Sequence, residues 1–248
     1  MKRFLPLWQR ETGAYFRTSI AYVGGVFFLL LTGGTFWVLV ARLAGGEMEG
    51  SLTEVFFSSL WFWLAMLTVT PLLTMRLFAE EIRLGTLETL MSAPVTATEV
   101  VLSKFAAAGT VFGMLWLPTM LYSPVARWCG GQLPPMPFGT VAGGYVGVLL
   151  IGAFFLAAGL LCSLLTRHQV VAAMMCFAML GAWVSSSLIT VRFQLEATHS
   201  LSHYLSAPQH MRDFAAGILD TRTLVWYLSG TVVLLFTSIR LLEARRLR

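Results

Sequence analysis

Charge is what this sequence has least of. Of its 248 residues, 12% are Asp, Glu, Lys or Arg, while 57% are apolar. A soluble domain of this size carries roughly twice that charged fraction. The composition indicates an integral membrane protein, which length alone does not. Cysteine is scarce too: Cys129, Cys162 and Cys176 are the full set, the last two inside apolar runs. No C-x-x-C spacing occurs, which excludes a disulfide framework and a zinc signature. The two lysines are Lys2 and Lys104, and neither follows a G-x-x-x-x-G-K-[S/T] loop. The chain therefore has no means of its own to cradle nucleotide phosphates. C-G-G-Q at Cys129 to Gln132 lies beside Pro134 and Pro135 and reads as a turn.

The apolar runs carry no Asp, Glu, Lys or Arg in their central parts. A secondary transporter needs ionisable groups at mid-membrane for ion coupling, so their absence argues for energy supplied from outside the chain. No histidine stands inside a run to hold a metal or activate water, and Ser185, Ser186 and Ser187 lack a basic partner there. Glu80-Glu81-Ile82-Arg83 is similar to the paired glutamates of intramembrane CAAX-type proteases, but Gly85 stands where those enzymes need arginine. An intramembrane enzyme and a non-transporting scaffold remain as alternatives.

What the sequence has in quantity is long apolar stretches. Six of them, at about 20–41, 55–77, 104–126, 138–165, 170–191 and 223–242, each reach the ~20 residues that a bilayer core requires. Arg76, Lys104 and Arg240 sit at their ends, where such side chains snorkel. With the N-terminus inside, the inner segments hold 12 of the Lys and Arg residues and the outer ones hold 5. The positive-inside rule selects this topology and puts both termini in the cytoplasm. The net charge of +5 is explained by the membrane, so no nucleic-acid partner is inferred.

Ahead of the first run, Arg3, Arg10 and Arg17 recur every seventh residue among Phe4, Leu7, Trp8, Tyr15 and Phe16. Residues 2–19 thus predict an amphipathic helix lying in the interface, basic face to the lipid headgroups, rather than a cleavable signal. The fourth run carries Gly139, Gly143 and Gly147, a small-residue face for close helix contact within the chain rather than a dimer seam.

The remaining expectations fall on the loops. Residues 79–103 follow the second run on the inner side. Gly85 breaks the pattern set by Glu80, Glu81 and Arg83, and Thr86 to Ser92 reads as a short helix with Leu87, Leu90 and Met91 on one face. Glu88 suits its positive N-terminus, and Pro94 stops it. Thr96 and Glu99 form a T-x-x-E capping box that starts the next helix. An apolar ridge outside the membrane needs something to pack against.

This stretch resembles the inner loop after the second membrane helix in ABC transporter permeases of the type-2 exporter class. The gliding-motility and copper-enzyme-maturation branch carries a similar E-E-x-x-x-G-T-L-E-x-L-x-x-x-P-V run, matched here from Glu80 to Val95. The resemblance implies that Glu80, Glu81, Gly85, Thr86, Leu87, Glu88, Leu90, Met91 and Pro94 form a coupling helix docking on a separate P-loop ATPase. ATP and Mg would be bound by that partner and no cofactor by this chain. Two six-helix units, a second copy or a related permease, would rock against each other. Ala14 to Val23 and His210 to Arg222 also resemble the class.

The expected fold is therefore all-α: a single permease domain over 1–248, with six transmembrane helices, an N-terminal interfacial helix and the coupling helix. Its expected place is the bacterial inner membrane, with lipid around it and an outer accessory protein as a candidate partner. The short inner turn at Arg167 and His168 offers a second ATPase contact. On the outer side, residues 192–222 hold the stripe Met211, Phe214 and Ile218, which predicts short interfacial helices. His210, Phe214, Gly217 and Asp220 make up a candidate outer gate segment, and Asp220 or Thr221 caps the last helix. Glu196, His199 and His203 could converge on a metal if helical, but a solvated face is the expected reading, with no metal site.

Overall fold

The computed structural model describes residues 4–45, 51–87, 95–128, 137–193 and 206–246. These residues are helical throughout, joined by short turns. In chain order the helices are α1 (Phe4–Phe16), α2 (Ser19–Ala44), α3 (Leu52–Ser58), α4 (Leu60–Thr74), α5 (Ala79–Leu84) and α6 (Ala97–Trp116). A 3₁₀ turn at Pro118–Leu121 leads to α7 (Tyr122–Trp128), followed by α8 (Phe138–Leu165), α9 (Gln169–Phe193), α10 (Ala207–Ala215) and α11 (Thr221–Arg246).

Six segments are long and apolar enough to cross a membrane: Ala21–Leu43, Leu60–Leu84, Ala97–Leu121, Phe138–Leu165, Gln169–Ser186 and Thr221–Arg245. All six overlie the expected runs with shifted ends. The second begins later than 55 because Ser59 breaks the helix with an extended backbone, φ −65° and ψ 147°. Its hydroxyl donates to the Phe56 carbonyl (2.8 Å) and accepts from the Phe62 amide (3.1 Å), ending α3 and capping α4 together.

The core is built around α8, which α4, α6, α9, α10 and α11 all touch. Two of its glycines make this possible. A Cβ on Gly147 would lie 2.7 Å from the Phe214 ring, and one on Gly143 would collide with the Phe214 carbonyl. The small-residue face therefore serves packing within the chain at these two positions, and at Gly139 a Cβ would meet nothing within 4 Å.

This contact corrects the expectation for the segment after α9. Met211 and Phe214 do not lie in a lipid interface; α10 is drawn into the bundle, burying both against α8 and α3. Only Ile218 of the expected stripe is exposed. Gly217, at φ +83°, ends α10 in a left-handed turn, with the Ile218 amide reaching the Asp213 carbonyl (2.8 Å). Asp220 then caps α11, its carboxylate accepting from the Arg222 amide (2.9 Å).

At the other end of the bundle the chain leaves α4 through residues 75–78. Ser163 of α8 closes this break: its hydroxyl accepts from the Phe78 and Ala79 amides and donates to the Met75 carbonyl, each at 3.1 Å. Backbone groups orphaned by the helix end are thereby satisfied inside the apolar core.

Candidate functional site

The end of the bundle where α1, α5 and α6 meet holds the densest charge cluster among the described residues. Lys104 of α6 is its centre. It is 2% exposed, and its Nζ lies 2.8 Å from Glu81 Oε1 and 3.0 Å from Glu11 Oε2. The expected snorkelling of Lys104 is thus corrected: the ammonium turns inward because two carboxylates meet it there, and it also lies 5.2 Å from the Phe78 ring centroid. Arg10 donates to Glu11 (2.7 Å), and Arg76 grips Glu80 in a fork (2.9 and 3.2 Å).

Burial pushes the Glu11 carboxyl up, but Lys104 and Arg10 outweigh it and hold its pKa below the ordinary 4.5. The second Glu81 oxygen, Oε2, is buried without a hydrogen-bond partner. These side chains border a cavity of about 740 Å³ that reaches Leu84 and Thr86.

The cluster fixes α1 against the bundle. Trp8 donates its indole N–H to Thr110 (3.1 Å), and the half-buried Tyr15 donates its hydroxyl to the Leu73 carbonyl (2.6 Å). Burial raises the Tyr15 phenol so that it remains a donor. The N-terminal helix ends at Phe16, before the expected 19, and it lies along α6 rather than only on lipid headgroups. Arg10 still faces outward, 55% exposed.

Beyond the cluster, α5 carries Glu80 and Glu81 and ends at Gly85, whose φ of +70° gives the left-handed turn that glycine adopts without strain. The chain re-enters helix at Thr86 and Leu87. Leu87 is half-buried and packs on the core, so it is not the fully exposed ridge residue expected; Leu84, 61% exposed, is the bare apolar side chain here. Glu88, Leu90, Met91 and Pro94 lie outside the described residues. The chain reappears at residue 95, where Thr96 and Glu99 form the expected capping box, with the Glu99 amide 3.2 Å from Thr96 Oγ1 and the Thr96 amide 3.2 Å from Glu99 Oε2.

Arg167 and His168 sit exposed in the turn between α8 and α9, at the same end as α5. The outer candidates gather at the opposite end. His210 is buried, with Nδ1 3.2 Å from the Tyr227 hydroxyl, Phe214 fills the glycine notch of α8, and Gly217 and Asp220 shape the entry to α11. Glu196, His199 and His203 fall outside the described residues, as does Cys129. Among the described residues no three His, Cys, Asp or Glu side chains group as metal ligands.

Sequence reasoning missed Glu11 and the inward turn of Lys104. The signal was a lone acid in an arginine-bearing helix and a lone lysine beside an apolar run. Compared with curated proteins, the chain has no significant match. A family model described as ABC-2 family transporter protein matches residues 52–239, about three-quarters of the chain.

Proposed function

The chain belongs to the ABC-2 transporter family, and on that premise we propose that it is a permease subunit driven by a separate P-loop ATPase docking on the segment between α5 and α6. The observation that carries this reading is the Glu11–Lys104–Glu81 cluster beside that segment. Three helices are pinned to one ammonium there, so force on residues 86–95 passes into α1, α5 and α6 as one body. From α5 it continues through the Ser163 bonds to α8, the helix against which most others pack. A push at the inner end can move the bundle only because these links are stiff.

In this reading ATP and Mg belong to the ATPase subunits. Glu80, Glu81, Gly85, Thr86, Leu87, Glu88, Leu90, Met91 and Pro94 form or position the docking element. Arg167 and His168 add a smaller contact. A second permease copy, or a related subunit, completes the pathway, and the pair either exports cargo or does mechanical work across the bacterial inner membrane. Both termini are cytoplasmic, as the charge bias requires. The Glu80 to Val95 run supports the gliding-motility and copper-enzyme-maturation branch. At the outer end, α10 and the turn at Gly217 act as a gate against α8.

The test is co-purification. Leu84→Asp with Leu90→Asp puts two charges where an apolar groove should receive leucine, and neither change touches the packed Leu87. Insertion should be unchanged while the ATPase subunit is lost. A double variant that keeps its ATPase and its coupled hydrolysis would remove this segment from the docking role.

A further inference from the structure

At the end of the bundle away from the charge cluster, α2 and the α3–α4 break border a cleft of about 830 Å³. That volume lies within the range of small-molecule sites. One wall is a single stripe of α2, formed by Leu30, Leu31, Gly34, Thr35, Val38 and Arg42. Twelve residues separate Leu30 from Arg42, about 18 Å along the helix axis. The stripe therefore descends from the rim to near mid-bilayer, the depth of one leaflet's acyl chains. The cleft is open at Gly34, where an added Cβ would meet nothing within 4 Å. The facing wall is Ser58, Ser59 and Trp61, at the capped break between α3 and α4.

The rim is charged. Arg42 of α2 and Arg212 of α10 both border the cleft, with Glu54 of α3 between the two walls. Both arginines are exposed, and among the described residues neither makes an ion pair or side-chain hydrogen bond. Among the described residues, the charged groups bordering the cleft are thus Arg42, Arg212 and Glu54, above the largely aliphatic stripe of α2.

We infer that this cleft binds an anionic phospholipid, its phosphate held by Arg42 and Arg212 and one acyl chain lying along the α2 stripe. Guanidinium groups suit phosphate because their planar donors bond it in pairs. Leu30 and Val38, 69% and 51% exposed, face the space the chain would fill. A second copy of this chain is the less suited occupant. A two-fold interface places the same patch on both subunits, which would bring the exposed Arg42 and Arg212 of one copy towards those of the other. The inference is independent of ATPase docking, because its test contains neither nucleotide nor ATPase.

The experiment is native mass spectrometry of the full-length protein in detergent, titrated with phosphatidylglycerol or with phosphatidylcholine of identical chains. The wild type should prefer phosphatidylglycerol by about tenfold, the effect expected of one good charge-assisted contact. Arg42→Gln with Arg212→Gln should remove that preference and leave phosphatidylcholine binding unchanged. Gly34→Leu, which fills open space and favours the helix, should weaken both lipids while thermal stability holds. Three results would overturn the inference: equal binding of both lipids by the wild type, as annular lipid alone gives; a preference that survives loss of both arginines; or a Gly34→Leu protein that changes its monomer–dimer balance without losing lipid, which would make the cleft a seam between copies.

Discussion

Replacing Lys104 by Met should be among the most damaging single changes at the α1–α5–α6 end of the bundle. The side chain is 2% exposed, and its carboxylate partners Glu11 and Glu81 are 13% and 20% exposed. Removing one partner of a buried ion pair costs about 3–5 kcal/mol, because the other charge stays buried without compensation. The lower end applies here, since Arg10 remains 2.7 Å from Glu11 and both carboxylates keep some hydration. About 3 kcal/mol is a large part of the ~5–15 kcal/mol that holds a domain folded. At ~2–4 °C per kcal/mol for a chain of this size, the melting temperature should fall by about 6–12 °C. The assay is thermal unfolding in detergent followed by tryptophan fluorescence. Adding Glu81→Gln to Lys104→Met should restore part of the loss, because the pair then leaves less uncompensated charge. A Lys104→Met protein that melts within 1 °C of wild type, roughly the resolution of about 0.3 kcal/mol, would show that the ammonium does not hold α1, α5 and α6 together.

Other expectations follow from the same contacts. Glu11 has a depressed pKa, so its contribution to stability is present above 4.5 and is lost as pH falls through the folded value; melting temperature should be flat from about pH 7 to 5, drop on further acidification, and lose part of that drop in Glu11→Gln. Ser163→Ala leaves the Phe78 and Ala79 amides without their acceptor, at about 1–3 kcal/mol for each buried donor, read as a lowered midpoint of unfolding. Gly147→Leu should expel Phe214 from α8 and expose α10 to protease, whereas the same change at Gly139, where the space is open, should leave digestion unaltered. For topology, Cys129 should react with an impermeant thiol reagent from outside intact cells, and a cysteine at Leu84 only once the inner side is opened; labelling at 84 from outside would invert the orientation.

Much of this architecture was legible because membrane spans announce themselves by length and apolarity, which composition preserves. The T-x-x-E box at Thr96 and the break at Gly85 were equally readable, since capping and left-handed turns are set by local residue type. Three features were not. Ser59 stands inside an apolar run, where one serine has little weight in hydropathy, yet its hydroxyl ends one helix and begins the next. The burial of α10 depends on Gly143 and Gly147, more than 60 residues earlier, and an amphipathic stripe alone does not say whether lipid or protein covers it. Lys104 read as a snorkelling end residue because its partners are remote: Glu11 is 93 positions away. Pairing across such distances is a property of the packed bundle, not of any window of sequence.

The central claim is that the segment between α5 and α6 is where an ATPase engages this permease. Its most direct test is a photo-crosslinking amino acid placed at Leu90, activated in native membranes, with the adduct identified by mass spectrometry. The account predicts one dominant adduct, a P-loop ATPase, and the same adduct should be strongly reduced in the Lys104→Met background because the docking element loses its support. Crosslinks to lipid alone, or to this chain alone, in membranes where the ATPase is present would contradict it.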